Sequence, residues 1–102
     1  MDATQLVLTP QELDTVKNVL RIRAPHHRAL AFGSRVQTDQ PRKAYKNHSD
    51  LDIALAGPNL PPHEMFALRE AFSESDLPFR VDVVMRDDLP AQWLSSMVWA
   101  QL

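Results

Sequence analysis

Apolar residues along this chain recur with two periods, one typical of helices and the other typical of strands. Spacings of three and four residues occur in three stretches, and alternation of apolar and polar residues occurs in short stretches between them. The resulting order is helix, strand, strand, helix, strand, helix. Because a helix separates the last two strands, those strands can pair in parallel, so we predict an α/β (α+β) fold with a small mixed sheet and about three helices.

The first helix has clear start and stop signals. Thr9 can cap its N-terminus, Pro10 suits the first helical position, and Glu12 lies where a capping box requires it. Leu13 and Val16 then begin an apolar face at helical spacing. Pro25 predicts the end of this helix, because the residue before a proline disfavours helical geometry.

Two further helices are expected later in the chain. The pair Pro61-Pro62 opens the second one, and residues 73–78 break it. Asp87 or Asp88 can cap the third. Trp93 lies at helical spacing from Met97, so we expect Trp93 in the core.

Three carboxylates fall on the polar face of the predicted strands, which span residues 27–32, 50–56 and 79–85. Asp50 and Asp52 are one residue apart, so they point to the same side of their strand. Asp82 interrupts an otherwise apolar strand, and a carboxylate with its face buried there requires a partner or a metal ion. The sequence thus predicts that all three can share one sheet face beside the turn at Gly33-Ser34.

These residue types suit nucleotidyl transfer. Carboxylates on rigid strands are the ligands that hard cations such as Mg²⁺ prefer, and two such ions can clamp the attacking and leaving oxygens. Asp82 can also take the proton of the nucleophile. Gly33 allows the backbone to approach a phosphate closely, and the Ser34 hydroxyl can donate a hydrogen bond to that phosphate.

Composition limits the number of domains and the classes of ligand and chemistry that this chain can have. With 102 residues, 44% of them hydrophobic, one domain over 1–102 is expected, and self-association is a possible source of extra stability. The net charge of −2 gives no general attraction for nucleic acid, which is not expected as a direct ligand. No cysteine is present, which excludes disulfides and a cysteine nucleophile. Neither a membrane span nor a secretory leader is apparent, so we expect a cytoplasmic protein.

The segment 35–49 is polar and is interpreted as a loop. Arg35 follows the Gly-Ser turn and is either a phosphate contact or a solvated charge. A small basic group is either solvated or steers a triphosphate or an acidic partner; its members are Arg42, Lys43 and Lys46. Tyr45, Trp93 and Trp99 are candidates for stacking on a nucleobase, and Trp99 is alternatively part of a partner interface.

The motifs resemble those of the minimal nucleotidyltransferases of the DNA polymerase β superfamily. The likeness is carried by Gly33-Ser34-Arg35-Val36, by residues 49–55 and by residues 80–84. It implies that Asp50, Asp52 and Asp82 bind Mg²⁺ and that Gly33-Ser34 contacts the triphosphate. The segment between the Gly-Ser turn and Asp50, residues 35–49, is longer here than is usual in the family.

The resemblance also implies a biological context. Such proteins are typically encoded beside an all-helical HEPN-type toxin, and as antitoxins they transfer AMP from ATP to a tyrosine of that toxin. Two alternatives stay open: a non-catalytic module that occludes its HEPN partner, and a nucleotidyltransferase that acts on a small molecule or RNA. The last class usually carries an additional acceptor-binding domain.

Overall fold

The fold is built on a mixed β-sheet, seen here in a computed structural model that describes residues 5–6, 8–33, 36–37, 50–96 and 99–102. The helices are α1 (Pro10–Arg23), α2 (Pro62–Ser73) and α3 (Ala91–Ser96), and a 3₁₀ turn spans Arg86–Asp88. The strands are β1 (Gln5–Leu6), β2 (Arg28–Phe32), β3 (Val36–Gln37), β4 (Leu51–Ala56), β5 (Val81–Met85) and β6 (Ala100–Gln101).

Within the described residues, strand pairing gives one four-stranded and one two-stranded sheet. The larger sheet has the order β5-β4-β2-β6, and β1 pairs with β3 in the smaller one. The helix α2 connects β4 to β5, and these two strands are parallel, whereas β2 is antiparallel to both of its neighbours. The predicted α/β (α+β) fold with a mixed sheet and three helices is therefore confirmed.

One face of the larger sheet holds the main core. Leu51, Ile53 and Leu55 alternate along β4 and are fully buried. Against them pack apolar side chains of the helices, among them Val16 of α1 and Leu68 of α2. Because side chains alternate along a strand, Asp52 and its register neighbours lie on the opposite face.

Three short strands differ from the prediction. The two-residue strands β1 and β6 were not predicted, and Val36–Gln37 forms β3 inside the segment interpreted as a loop. A strand of two residues has no alternation that could reveal it, and its position depends on the strand with which it pairs.

The start of the third helix was also wrongly predicted. Asp87 and Asp88 belong to the 3₁₀ turn, and α3 begins at Ala91, where the Trp93 N–H donates to the Pro90 carbonyl at 2.9 Å. Leu89 precedes a proline and has the extended conformation, with φ −82° and ψ 147°. Trp93 is 44% exposed and does not lie in the core, because the short helix turns this side chain outward.

Among the described residues, no helix has the length and apolar character needed to cross a membrane.

The capping box at the start of α1 makes a quantitative prediction. The Thr9 hydroxyl accepts from the Glu12 N–H at 3.1 Å, and the Glu12 carboxylate accepts from the Thr9 N–H at 2.9 Å. Thr9→Ala removes the side-chain acceptor and should lower the free energy of unfolding by about 1 kcal/mol in urea titrations. Thr15→Ala is the matched control; its hydroxyl only bonds the Gln11 carbonyl within the helix, so we expect little change. Equal losses in the two variants would contradict this role for Thr9.

Candidate active site

Asp52 and Asp82 are direct neighbours across the parallel pair of strands. The register of β4 and β5 places Asp52 opposite Asp82, between the pairs Leu51–Val81 and Ile53–Val83. Register partners point to the same face of a sheet, and neighbouring strands lie only about 4.8 Å apart. The two carboxylates therefore stand side by side on the face that is turned away from the main core.

Asp50 lies immediately before β4 and is partly buried. The next residue, Leu51, donates its backbone N–H to the carbonyl of Arg80 at 2.9 Å, which joins the starts of β4 and β5. Asp50 is close enough for its charge to act on Asp52. The structure thus brings the three predicted aspartates to the same end of the sheet.

The surroundings of Asp52 disfavour ionisation of its carboxyl group. Burial, followed by the charges of Asp82 and Asp50, raises the pKa of Asp52 from 3.8 to about 6. Each of these effects disfavours the ionised form. A cation bound between the carboxylates would relieve the repulsion, which is the electrostatic condition expected of a metal site.

Gly33 forms the other wall of this group. It follows β2 directly and has φ +87°, a conformation that side-chain-bearing residues rarely adopt. A Cβ atom at Gly33 would lie 2.4 Å from Oδ2 of Asp52. Only glycine leaves room for the Asp52 carboxylate here, so the close approach predicted at Gly33 is made to a carboxylate in this structure.

Arg80 borders the site on the β5 side. Its guanidinium lies 4.0 Å from Oδ1 of Asp82, and both side chains are largely solvated, with 81% and 51% exposure. A pair this exposed contributes little to stability. Arg80 is nevertheless positioned to offset part of the negative charge that the aspartates bring together.

Two aromatic side chains continue the row of aspartates across the sheet. Phe32 is the register partner of Asp52 on the other side of β4, and its ring contacts that of Trp99, with centroids 5.2 Å apart and planes inclined by 57°. Phe32 was not recognised from the sequence. The available signal was its place directly before Gly33, at the end of a strand that pairs with β4.

The donor set suits a hard divalent cation, although the side chains are not gathered around one point. Within the described ranges, no three side chains among aspartate, glutamate, histidine and cysteine are arranged to hold a metal ion. Three carboxylates nevertheless lie at one sheet end, one with a raised pKa, and the space beside Asp52 is kept open by Gly33. Carboxylate oxygens are the donors that Mg²⁺ prefers, and the binding of Mg²⁺ by Asp50, Asp52 and Asp82 stays a prediction.

Some predicted residues lie outside the described part of the chain. They are Ser34, Arg35, the basic group (Arg42, Lys43 and Lys46), Tyr45 and Met97. The expected contacts of Ser34, Arg35, the basic group and Tyr45 with a phosphate, a partner or a base stay predictions, as does the place of Met97 on the third helix.

The chain is similar to a known protein. That protein is named probable protein adenylyltransferase MntA, from Haemophilus influenzae, and it is 45% identical over 83 residues. The match covers 78% of the present chain and 67% of that protein. No family model matches the chain.

The contact between Gly33 and Asp52 can be tested by a double-mutant cycle. Gly33→Ala should destabilise the fold by more than the ~1–2 kcal/mol that left-handed backbone costs a non-glycine residue, because its Cβ also meets Oδ2 of Asp52. In the Asp52→Ala background that oxygen is gone, so the loss should shrink toward the backbone cost. The measurement is the free energy of unfolding of the four proteins.

Gly57→Ala is the matched control for this cycle. Gly57 also has a positive φ, +141°, but its Cβ would face the His27 ring. Its cost should be the same with and without Asp52→Ala. Additive effects of Gly33→Ala and Asp52→Ala would contradict the close approach.

The raised pKa of Asp52 predicts a pH dependence of stability. Between pH 4 and 6 the folded protein holds a proton on Asp52 that the unfolded chain has released, so stability falls as pH rises through this window. The loss is on the order of 1 kcal/mol, since solvent screens a partly exposed group. In metal-free buffer, Asp52→Asn should remove this fall, whereas Asp14→Asn, on the exposed face of α1, should retain it. A wild-type stability that stays flat or rises over this range would contradict the raised pKa of Asp52 in the folded protein.

Proposed function

This chain belongs to the minimal nucleotidyltransferase family, and we propose that it catalyses the Mg²⁺-dependent transfer of AMP from ATP to a hydroxyl group of a protein. One observation carries the proposal: Asp52 and Asp82 are register partners on one sheet face, with Gly33 against the Asp52 carboxylate. The name of the similar Haemophilus protein supports adenylyl transfer to a protein in particular.

The reaction is a substitution at the α-phosphorus of ATP. The acceptor oxygen forms a bond to this phosphorus, and the bond to the bridging oxygen of the β-phosphate breaks, so pyrophosphate leaves. The hydroxyl proton must pass to a base. Mg²⁺ supplies neutralisation of the phosphate oxygens and of the leaving pyrophosphate.

The aspartates would divide these tasks according to their positions. Asp50 and Asp52 would hold the cations, and Asp82 would be a further ligand of the cation on the acceptor side. Asp52, between Gly33 and Asp82, can reach both the nucleotide side and the acceptor side. Asp82, on β5, orients the acceptor hydroxyl and takes its proton. Because the carboxylates sit on rigid strands, catalysis comes mainly from positioning and charge stabilisation.

Phosphate contacts would come from the end of β2. Gly33 exposes its backbone beside Asp52, and the triphosphate would lie along this turn. From the sequence, Ser34 and Arg35 are the further phosphate contacts. The nucleotide thus approaches from the β2 side and the acceptor from the β5 side.

The acceptor that we propose is a tyrosine hydroxyl of a HEPN-type toxin. This assignment rests on the family resemblance, in which AMP transfer makes the nucleotidyltransferase the antitoxin of its neighbour. The reaction consumes ATP, which accords with a cytoplasmic location.

Label transfer tests the proposal directly. The chain is incubated with ATP labelled on the α-phosphate, Mg²⁺ and the product of the neighbouring gene, and labelled protein is measured. We expect transfer by the wild type, a fall of at least a hundred-fold for Asp52→Asn, and no transfer with EDTA. Asp14→Asn is the matched control, since it removes one carboxylate charge far from the site and should leave the rate unchanged.

Occlusion of the partner without chemistry gives the opposite pattern. If Asp52→Asn neutralises the toxin as well as the wild type does and no label is transferred, the chain is a binding module and the proposed activity is wrong.

A further inference from the structure

Phe32 and Trp99 occupy an unusual place in this fold. Phe32 is buried, yet it does not belong to the main core cluster, because it lies on the face of the sheet that carries Asp52. Its ring contacts the ring of Trp99, at 5.2 Å between centroids. Neither aromatic residue has a role in the reaction as described so far.

The register of β6 explains why Trp99 reaches this face. Ala100 pairs with Ala31, and both belong to or border the main core. Trp99 precedes Ala100, so alternation directs its side chain to the opposite face, beside Phe32. The row across the four strands is therefore Asp82, Asp52, Phe32 and Trp99.

The order of residues in this row constrains where the two substrates can bind. Asp82 lies on one side of Asp52, and Phe32 with the adjoining Gly33 lies on the other. With strands about 4.8 Å apart, Trp99 is centred roughly 10 Å from Asp52, on the side of β4 away from Asp82. In a nucleotide, one ribose separates the base from the α-phosphate, which is a separation of this order.

We propose that Trp99, supported by Phe32, is the stacking surface for the nucleobase of the donor nucleotide. Trp99 is partly exposed, so a face or edge of its indole is available to a planar ligand. Phe32 holds the indole in place from below, so the ring loses little freedom on binding. Stacking accepts any base, so this surface supplies affinity for a base without selecting adenine.

The inference rests on the proposed function, because the direction of the row is set by where the phosphates and the acceptor lie. It adds a residue that the sequence motifs do not include. Trp99 is separated from the last aspartate by the whole of α3, and only the pairing of β6 with β2 returns it to the site.

Two ligands separate base stacking from phosphate binding. α,β-Methylene-ATP carries the base and cannot be cleaved at the α-phosphate, whereas magnesium tripolyphosphate has no base. By calorimetry, Trp99→Ala should weaken binding of the nucleotide analogue about ten-fold or more and leave tripolyphosphate binding unchanged. Trp99→Phe should retain part of the affinity. Trp93→Ala, an exposed tryptophan on α3, is the matched control and should bind both ligands as the wild type does.

Fluorescence provides a readout that does not depend on removing Trp99. The chain has two tryptophans, so Trp93→Phe leaves Trp99 as the sole indole. Its emission should be quenched by the nucleotide analogue with Mg²⁺ and unaffected by tripolyphosphate. This measurement also serves if Trp99→Ala proves unfolded.

Each outcome bears on the inference. Equal loss of both ligands in folded Trp99→Ala, unchanged affinity for both, or the absence of nucleotide-specific quenching overturns it. An increased KM for the protein acceptor with unchanged nucleotide binding would assign the aromatic pair to the acceptor and also overturn it. Nucleotide stacking without any AMP transfer by the wild type would leave the inference standing and sink the proposed function instead.

Discussion

The geometry of the candidate site follows from the parallel pairing of β4 with β5, which sets Asp52 opposite Asp82. A shift of one residue would turn Asp82 toward the core and separate the charges. The register is held by the opposite face, where Leu51, Ile53 and Val83 are buried against the helices. The apolar core thus specifies where the acidic pair stands, and the cost of placing like charges together is met by packing on the other side of the same strands.

The site stores electrostatic free energy that a cation or a proton can release. Burial and the neighbouring carboxylates raise the pKa of Asp52. Because Gly33 has no side chain, nothing from that residue covers the Asp52 carboxylate on the β2 side. Functional groups commonly carry such unfavourable environments, which the remainder of the fold must offset. Arg80 partly neutralises the charge of Asp82. Because this ion pair is exposed to solvent and weak, a metal ion bound to Asp82 could replace Arg80 as its partner.

The sequence allowed the prediction of those features that depend on neighbours along the chain. Thr9 and Glu12 specify the start of α1, and the alternation around Asp52 and Asp82 specifies the face on which they lie. The pairing of β6 with β2 could not be predicted. A strand of two residues shows no alternation of apolar and polar positions, and its pairing is decided by tertiary contacts. For the same reason the juxtaposition of Phe32 and Trp99, far apart in the chain, became visible only in the fold.

We propose that the aspartates at the starts of β4 and β5 form one cation-binding site. NMR of the carboxyl carbons during titration with Mn²⁺, a paramagnetic substitute for Mg²⁺, would detect this site. The carboxyl signals of Asp50, Asp52 and Asp82 should broaden first and together, that of Asp14 on α1 should stay sharp, and excess Mg²⁺ should reverse the broadening. Uniform broadening of all exposed carboxylates, or none at Asp52 and Asp82, would contradict it.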